Sequence, residues 1–138
     1  MERFAADIDQ GNVWWCEDGA GLLGTVTLTE RMPTYHPPTI WSPHRRAWYI
    51  MRLAVPTGRG GQGAGRQILR AVEDKATHEG VEVLRLDCLA TTPLLTRYYR
   101  DAGFELIGAE EIFGKPASFL ERSLNEARAT RSRERGTR

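Results

Sequence analysis

Residues 53–69 read LAVPTGRGGQGAGRQIL, and this stretch decides the fold. The apolar run at residues 47–55 leads into it, and its length and bulky side chains predict a central strand. Five of the ten residues from 56 to 65 are glycine. Residues 66–78 carry apolar side chains at helical spacing, and Gly80 ends that pattern. The order strand, glycine-rich loop, helix is therefore predicted here.

A glycine-rich loop that opens a helix is suited to binding an anion. Glycine has no side chain to keep a ligand at a distance, and successive backbone N–H groups can point at the same anion. The helix N-terminus adds about half a positive charge. A flexible turn is the alternative, but five glycines would then cost conformational entropy. The loop therefore predicts a ligand that carries a diphosphate.

Two familiar diphosphate motifs fit less well. A nucleotide-hydrolysing P-loop ends in Gly-Lys-Ser/Thr, whereas Gly65 is followed by Arg66 and Gln67. Residues 58–63 satisfy the dinucleotide pattern G-x-G-x-x-G, and Asp87 lies about where a ribose-binding acid is expected. However, two predicted strands precede this motif, and about 50 residues follow Asp87. That is too few for the rest of a doubly wound domain.

The remaining segments predict one α/β domain with a mixed sheet. Residues 1–10 have the pattern of the end of an amphipathic helix, since Phe4, Ala5 and Ile8 would share one face. The other predicted elements are a hairpin of residues 13–16 and 22–29, a strand at 81–88, a helix at 92–102 capped by Thr92, a strand from 104 to 107 that 112–113 would extend, and a last strand at 118–124.

Residues 30–46 contain four prolines, so we expect a long loop there. Long loops in compact domains often carry function. His36 and His44 lie in this loop, but their spacing matches no ligand pattern and no carboxylate joins them. They are therefore predicted to be surface histidines rather than metal ligands.

Composition excludes several classes of protein. The chain has 138 residues, of which 41% are hydrophobic, with 19 basic and 18 acidic side chains and a net charge of +1. This balance argues against a large nucleic-acid footprint, and no stretch is apolar enough for a membrane span. Acidic residues near the N-terminus are unlike a signal peptide, so we expect a cytoplasmic protein.

The C-terminal segment and the two cysteines give two further predictions. Residues 125–138 hold five Arg and two Glu, which predicts a basic, disordered tail after a domain of residues 1–124. The two cysteines, Cys16 and Cys88, lie in apolar runs without a metal-type spacing. They are therefore predicted to be buried thiols.

Two separated motifs resemble the GNAT superfamily of N-acetyltransferases. The first is residues 53–55 followed by residues 61–69. The second is LRLDC at residues 84–88, followed by YYRDAGF at residues 98–104, where a tyrosine stands four residues before a Gly-Phe pair. The resemblance covers roughly residues 3–124. It implies a mostly antiparallel sheet flanked by helices, whose central strand splays from its neighbour at a bulge.

The resemblance implies acetyl-CoA as co-substrate, without a metal. Backbone groups of Leu53, Ala54 and Val55 would pair with the pantetheine arm, and an N–H there would polarise the thioester carbonyl. The diphosphate would lie on the backbone N–H groups of Arg59, Gly60, Gly61, Gln62, Gly63, Ala64, Gly65 and Arg66. Two positions depart from the family pattern: Gly60 stands where Arg or Gln is usual, and Thr92 where a cofactor-contacting Asn is common.

Tyr99 matches the tyrosine of the family, for which the implied role is general acid toward the departing CoA thiolate. The alternative is a packed helix residue whose hydroxyl bonds locally. We expect Tyr98 to face the core with Leu94 and Ala102. The family often places a general base in or beside the central strand, but residues 47–55 contain no acid. The base is therefore unassigned, and ordered water is the expectation.

The implied reaction is direct attack of a primary amine, on a small molecule or a peptide, upon acetyl-CoA in a ternary complex. The loop at residues 30–46 would line the acceptor site, and Tyr35 and Trp41 favour a partly apolar amine. A non-catalytic module that binds or senses acyl-CoA is the alternative. The family normally has a strand and a helix before the segment that residues 1–10 resemble. Either the start codon is misassigned or the chain is a shortened variant with an exposed sheet edge, and such an edge would favour a homodimer.

Overall fold

Seven strands form a single sheet in the computed structural model, which describes residues 3–6, 13–43, 45–56, 58 and 63–124. The strands are β1 (Arg3–Ala6), β2 (Val13–Asp18), β3 (Gly21–Thr29), β4 (Ala47–Ala54), β5 (Val83–Leu89), β6 (Glu105–Ile112) and β7 (Lys115–Ser123), and the helices are α1 (Ala64–His78) and α2 (Pro93–Asp101). Their order in the sheet is β1-β2-β3-β4-β5-β7-β6. Only β4 and β5 are parallel, so the predicted mixed, mostly antiparallel sheet is confirmed.

The parallel pair exists because α1 connects its two strands. Parallel neighbours need a crossover long enough to return the chain to the same end of the sheet. The apolar stripe of α1 packs on the sheet, and Ile68, Val72 and Ala76 are fully buried. The helix predicted from the apolar spacing is thus confirmed, with its start two residues earlier, at Ala64.

Side chains of each strand alternate between two differently covered faces of the sheet. We call the face covered by α1 and α2 the helix face, and the face covered by residues 31–43 the loop face. The helix face buries Trp48, Ile50, Leu84, Leu86 and Leu120, together with both cysteines. The loop face buries Ala47, Tyr49, Val83 and Phe119 beneath Trp41. The prediction of two buried thiols is confirmed.

A buried arginine ties the proline-rich loop to the sheet. Arg85 of β5 is 5% exposed, and its guanidinium donates to the Tyr49 hydroxyl over 2.9 Å and to Glu121 Oε2 over 3.3 Å. It also donates to the carbonyl oxygen of Ser42 and lies 5.3 Å from the centre of the Trp41 ring. The loop therefore has irregular backbone, as predicted, but a fixed position.

The β6–β7 hairpin closes with a two-residue loop, because Ile112 pairs with Lys115. Phe113 and Gly114 both have positive φ, 51° and 77°, which is the backbone of a type I′ turn. A phenylalanine rarely adopts this conformation. Its ring is 86% exposed.

The helix predicted for residues 1–10 is wrong where the structure describes it. Residues Arg3–Ala6 form β1 and pair with residues 14–17 of β2. So short a segment carries little intrinsic preference, and pairing with a neighbouring strand overrides it. The remainder of the predicted helix, including Ile8, lies outside the described residues. Within the described part of the chain, neither helix is long and apolar enough to span a membrane.

We expect Gly24→Ala to destabilise the fold. A Cβ at this position of β3 would lie 2.5 Å from the Ala54 carbonyl oxygen and 2.5 Å from Cδ1 of Ile68. The backbone atom cannot move aside without shifting β4, so the free energy of unfolding should fall by about 1–3 kcal/mol. Urea denaturation measures the change. Gly19→Ala is the matched control, because a Cβ there meets nothing within 4 Å; equal stability of the two variants would contradict the expectation.

Candidate active site

A cleft opens in the middle of the sheet, where β4 and β5 separate. Their pairing runs from Ala47 opposite Val83 to Ile50 opposite Leu86 and stops there, although both strands continue. On the other side of β4, Leu28 pairs with Ile50 and Thr27 pairs with Arg52, which leaves Met51 as an extra residue. Such a bulge bends and twists its strand. The predicted splay of the central strand at a bulge is confirmed.

The cleft has one wall made of strand backbone. Leu53 and Ala54 still pair with Val26 and Thr25 of β3, so their second edge faces the gap left by β5. Leu53 is half-buried and packs against the helix-face core, and Val55 does the same just beyond the strand. The three residues predicted to hold the pantetheine arm thus lie together along this wall.

The first turn of α1 lies next to that wall. Gly63 is the N-cap in the left-handed region, with φ 74°, and no side chain caps the helix. The first helical hydrogen bond runs from the Gln67 N–H to the Gly63 carbonyl, so the N–H groups of residues 64–66 have no acceptor inside the helix. No acidic residue lies in the first turn. This end of α1 therefore offers donors and a partial positive charge to an anion.

Part of the predicted diphosphate cradle lies outside the described residues, namely Arg59, Gly60, Gly61 and Gln62. Gly63, Ala64, Gly65 and Arg66 are described. Ala64 is buried, and the Arg66 guanidinium lies 5.6 Å from the centre of the Tyr98 ring and donates to the Asp101 carbonyl over 3.5 Å. The Arg66 side chain is thus held by α2. Its backbone N–H, which has no acceptor inside the helix, remains for a ligand.

Gly65 has a packing role as well. The Tyr98 hydroxyl occupies the space in which a Cβ at residue 65 would stand, and Leu53 Cδ2 would lie 3.8 Å from that Cβ. Tyr98 therefore reaches from α2 to the start of α1. The prediction that Tyr98 packs with Leu94 is wrong, because Leu94 is 73% exposed. Ala102 does pack against the same core.

Tyr99 lies on the helix face of the cleft, on the side of β5. Its ring packs 5.9 Å from that of Phe104 and 5.2 Å from that of Tyr98. Burial, with smaller contributions from Tyr98 and from Cys88 of β5, raises the pKa of Tyr99 to about 12. The hydroxyl is therefore protonated at neutral pH and gives up its proton only to a strongly basic group.

Thr92 stands at the N-cap of α2, followed by Pro93, as the sequence predicts. The expected capping hydrogen bond from its side chain is absent. Thr92 is exposed. Its hydroxyl is therefore not used to cap the helix and is available to a ligand.

A cluster on the loop face was missed by the reasoning from sequence. His36 is 3% exposed, so the prediction of a surface histidine is wrong; His44 lies outside the described residues. The His36 Nε2 atom lies 2.8 Å from Oδ1 of Asp87, and the Tyr35 hydroxyl donates to the same oxygen over 3.2 Å. The signal in the sequence that could have indicated this cluster was Asp87, an acidic residue at the end of the strand that follows the central strand and its helix.

The two aromatic residues predicted to favour a partly apolar acceptor differ in burial. Trp41 is buried in the loop-face core, whereas Tyr35 is half-buried beside Asp87. The exposed ring of Phe113 lies 5.8 Å from the Tyr35 ring. Among the residues that the structure describes, no three His, Cys, Asp or Glu side chains are grouped to hold a metal ion.

Comparison with known proteins gives a consistent result. The model of the acetyltransferase (GNAT) family matches residues 1–104. YesJ of Bacillus subtilis (strain 168), an uncharacterised N-acetyltransferase, is 31% identical over 112 residues, which make up 80% of this chain and 62% of YesJ. The chain therefore spans less than two thirds of that relative's length.

Solved structures share the fold. A GNAT-family acetyltransferase from Listeria monocytogenes matches with a TM-score of 0.68 and 21% identity, over 84% of this chain and 66% of the other. A GNAT-family acetyltransferase from Elizabethkingia anophelis, solved with acetyl-CoA bound, matches with a TM-score of 0.63 and 16% identity, over 80% and 74% of the two chains. At these identities the likeness establishes the fold.

The raised pKa of Tyr99 predicts how stability changes at alkaline pH. Between pH 10, the ordinary value, and about pH 12 the unfolded chain loses the phenolic proton while the folded protein keeps it. This contribution to the free energy of unfolding is therefore complete below pH 10 and is lost as pH rises toward 12. Urea denaturation at about pH 9 and about pH 11.5 should show a smaller loss for Tyr99→Phe than for the wild type. Equal losses would contradict the burial of this hydroxyl.

Proposed function

Since the chain belongs to the acetyltransferase (GNAT) family, we propose that it binds acetyl-CoA in the cleft between β4 and β5 and transfers the acetyl group to a primary amine. The observation that carries this proposal is the end of β4–β5 pairing at Ile50 and Leu86, directly beside the uncapped start of α1. One cleft thus combines an unpaired strand edge with an anion site.

The cofactor would complete the sheet locally. A pantetheine arm carries two amides, and an extended chain with amides can pair with a strand edge as an added strand does. Leu53, Ala54 and Val55 supply that edge, and an N–H among them would polarise the thioester carbonyl as an oxyanion hole does. The diphosphate would lie on the backbone N–H groups of residues 59–66, with the Thr92 hydroxyl as a further contact from α2.

Tyr99 would act as the general acid. The C–S bond breaks toward the helix face, where the Tyr99 hydroxyl can protonate the CoA thiolate. A phenol with a pKa of about 12 is a weak acid, but a thiolate in the same desolvated cleft is also more basic than in water. Proton transfer would therefore accompany departure of the sulfur rather than precede it.

The acceptor would enter from the loop face. The start of α1 lies on the helix face, and the proposed diphosphate would lie there with it, so the opposite side of the cleft is left for the amine. Tyr35 and the exposed ring of Phe113 form an apolar surface there. We therefore expect a primary amine on a small molecule or a peptide with an apolar group near the nitrogen. A cytoplasmic location and a homodimer stay predictions.

We expect calorimetry to detect binding of acetyl-CoA, and much weaker binding of S-acetyl-pantetheine, which lacks the diphosphate. An assay of thiol release across a panel of amines then tests transfer. Release that depends on an amine supports an enzyme acting by direct attack in a ternary complex. Binding without release by any amine would instead support a non-catalytic module that binds or senses acyl-CoA, and failure to bind would refute both.

The adjacent tyrosines provide a matched test of the general acid. Tyr99→Phe should lower kcat by about 10²–10⁴-fold, because general acid catalysis is lost. The KM for acetyl-CoA should change little, since the ring and its packing remain. Tyr98→Phe removes a hydroxyl one residue away on the same helix and should leave kcat within about tenfold of the wild type. A large loss of kcat in Tyr98→Phe, without one in Tyr99→Phe, would show that the general acid is Tyr98 and not Tyr99.

A further inference from the structure

The amine must lose a proton before it attacks, and β4 holds no acid to accept it. The neighbouring strand does. Asp87 directly follows Leu86, the last β5 residue that pairs with β4. The carboxylate therefore stands on the loop face at the point where the cleft opens, which is the side left for the acceptor.

Two side chains of the loop hold this carboxylate by one oxygen. His36 Nε2 lies 2.8 Å from Oδ1 and the Tyr35 hydroxyl 3.2 Å from it. Among the described residues, no donor contacts the second oxygen, Oδ2. The Asp87 side chain is 20% exposed, in contrast to the buried His36. One oxygen is thus fixed by the protein and the other remains for a ligand.

His36 is itself fixed by its surroundings. Its ring lies 4.8–6.0 Å from the rings of Tyr35, Trp41, Tyr49 and Phe119. The Nδ1 atom is buried without a partner among the described residues. A carboxylate only accepts hydrogen bonds, so Nε2 carries the hydrogen.

The arginine nearest to Asp87 on the same strand face does not pair with it. Arg85, two positions earlier on the same face, is occupied by Glu121, Tyr49 and Ser42. Within the described part of the chain, no Lys or Arg pairs with Asp87. A substrate ammonium group entering from the loop face would therefore meet a negative charge that no described lysine or arginine neutralises.

We propose, on the basis of the acetyl transfer proposed above, that Asp87 is the catalytic base, with His36 and Tyr35 as its positioning residues. The ammonium passes one proton to Asp87, and the neutral nitrogen then attacks the thioester carbonyl carbon. The C–N bond forms, the C–S bond breaks and the thiolate takes the proton of Tyr99. The second amine proton leaves the nitrogen and restores the Tyr99 hydroxyl, while Asp87 releases its proton to solvent.

This assignment places the base and the acid on opposite faces of the sheet. Asp87 deprotonates the amine on the loop face, and Tyr99 protonates the sulfur on the helix face. Cys88, which follows Asp87 on β5, belongs to the helix face and lies near Tyr99. The reacting carbonyl would lie in the gap of the sheet, within reach of both groups.

Asp87→Asn tests the proposal, because the amide keeps an oxygen for His36 and Tyr35 but cannot accept the amine proton. For a simple alkylamine, kcat/KM should fall at least about 100-fold. Affinity for acetyl-CoA and the unfolding midpoint should stay at wild-type values, which shows that the variant is folded. Asp74→Asn is the matched control, since Asp74 is exposed on α1, away from the cleft. It should leave kcat/KM unchanged.

The choice of amine separates a base from a structural residue. An aromatic amine or a hydrazide is already neutral at the assay pH, so Asp87→Asn should lower its kcat/KM by less than about fivefold. Tyr35→Phe, which removes one donor to Asp87, should show the same dependence on the amine with a smaller amplitude.

The outcomes are distinct. Wild-type activity of Asp87→Asn toward alkylamines overturns the assignment of the base and leaves acetyl transfer intact. An equal loss for every amine also overturns it, because the residue would then act through structure. If the wild type itself transfers acetyl to none of these amines, the proposed function fails, and the assignment of Asp87 fails with it.

Discussion

Beyond Ile50 the last residues of β4 pair with β3 on one side and, among the described residues, with no strand on the other. Unpaired backbone in the middle of a sheet has to be satisfied by solvent or by a ligand. The bulge at Met51 turns β4 away at this point, and Asp87 to Leu89 of β5 continue along β7 instead. Every proposed function of the site depends on this separation, because it makes the centre of the sheet accessible from both faces.

The two faces supply different chemistry from the same strands. On the helix face, α1 and α2 bring the uncapped helix start, Tyr98 and Tyr99 to the cleft. On the loop face, residues 31–43 bring Tyr35 and His36 against Asp87. Since side chains alternate along β5, Asp87 and Cys88 belong to opposite faces although they are neighbours in sequence. The proposed cofactor and acceptor therefore use separate surfaces that meet only in the gap.

Local patterns predicted most of the architecture. The apolar run at residues 47–55, the helical spacing that follows and the glycine-rich stretch between them depend on neighbours within one element, and they placed β4 and α1 correctly. The proline density at residues 30–46 indicated an irregular segment for the same reason. Together with the motif around Tyr99, these features were enough to identify the fold.

What could not be predicted depends on contacts between distant parts of the chain. His36 and Asp87 are 51 positions apart, and only the folding of the loop onto the sheet buries the histidine. The Tyr98 hydroxyl reaches Gly65 because α2 packs beside the start of α1. The spacing of residues within α2 does not reveal this contact between the two helices. Arg3–Ala6 is a strand because β2 offers it an edge. In each case the partner, and not the local sequence, decides the outcome.

The anchoring of the loop by Arg85 has a consequence for evolution. Because the guanidinium fixes the backbone at Ser42 through β5 and β7, the exposed positions of the loop, Arg31, Thr34, Pro38 and Thr39, can change without displacing the sheet or the proposed coenzyme site. Substrate preference and coenzyme recognition are thereby free to diverge independently. A lineage that inherits this arginine can acquire new acceptors by altering the exposed residues of this loop, while Tyr35 and His36 keep their contacts with Asp87.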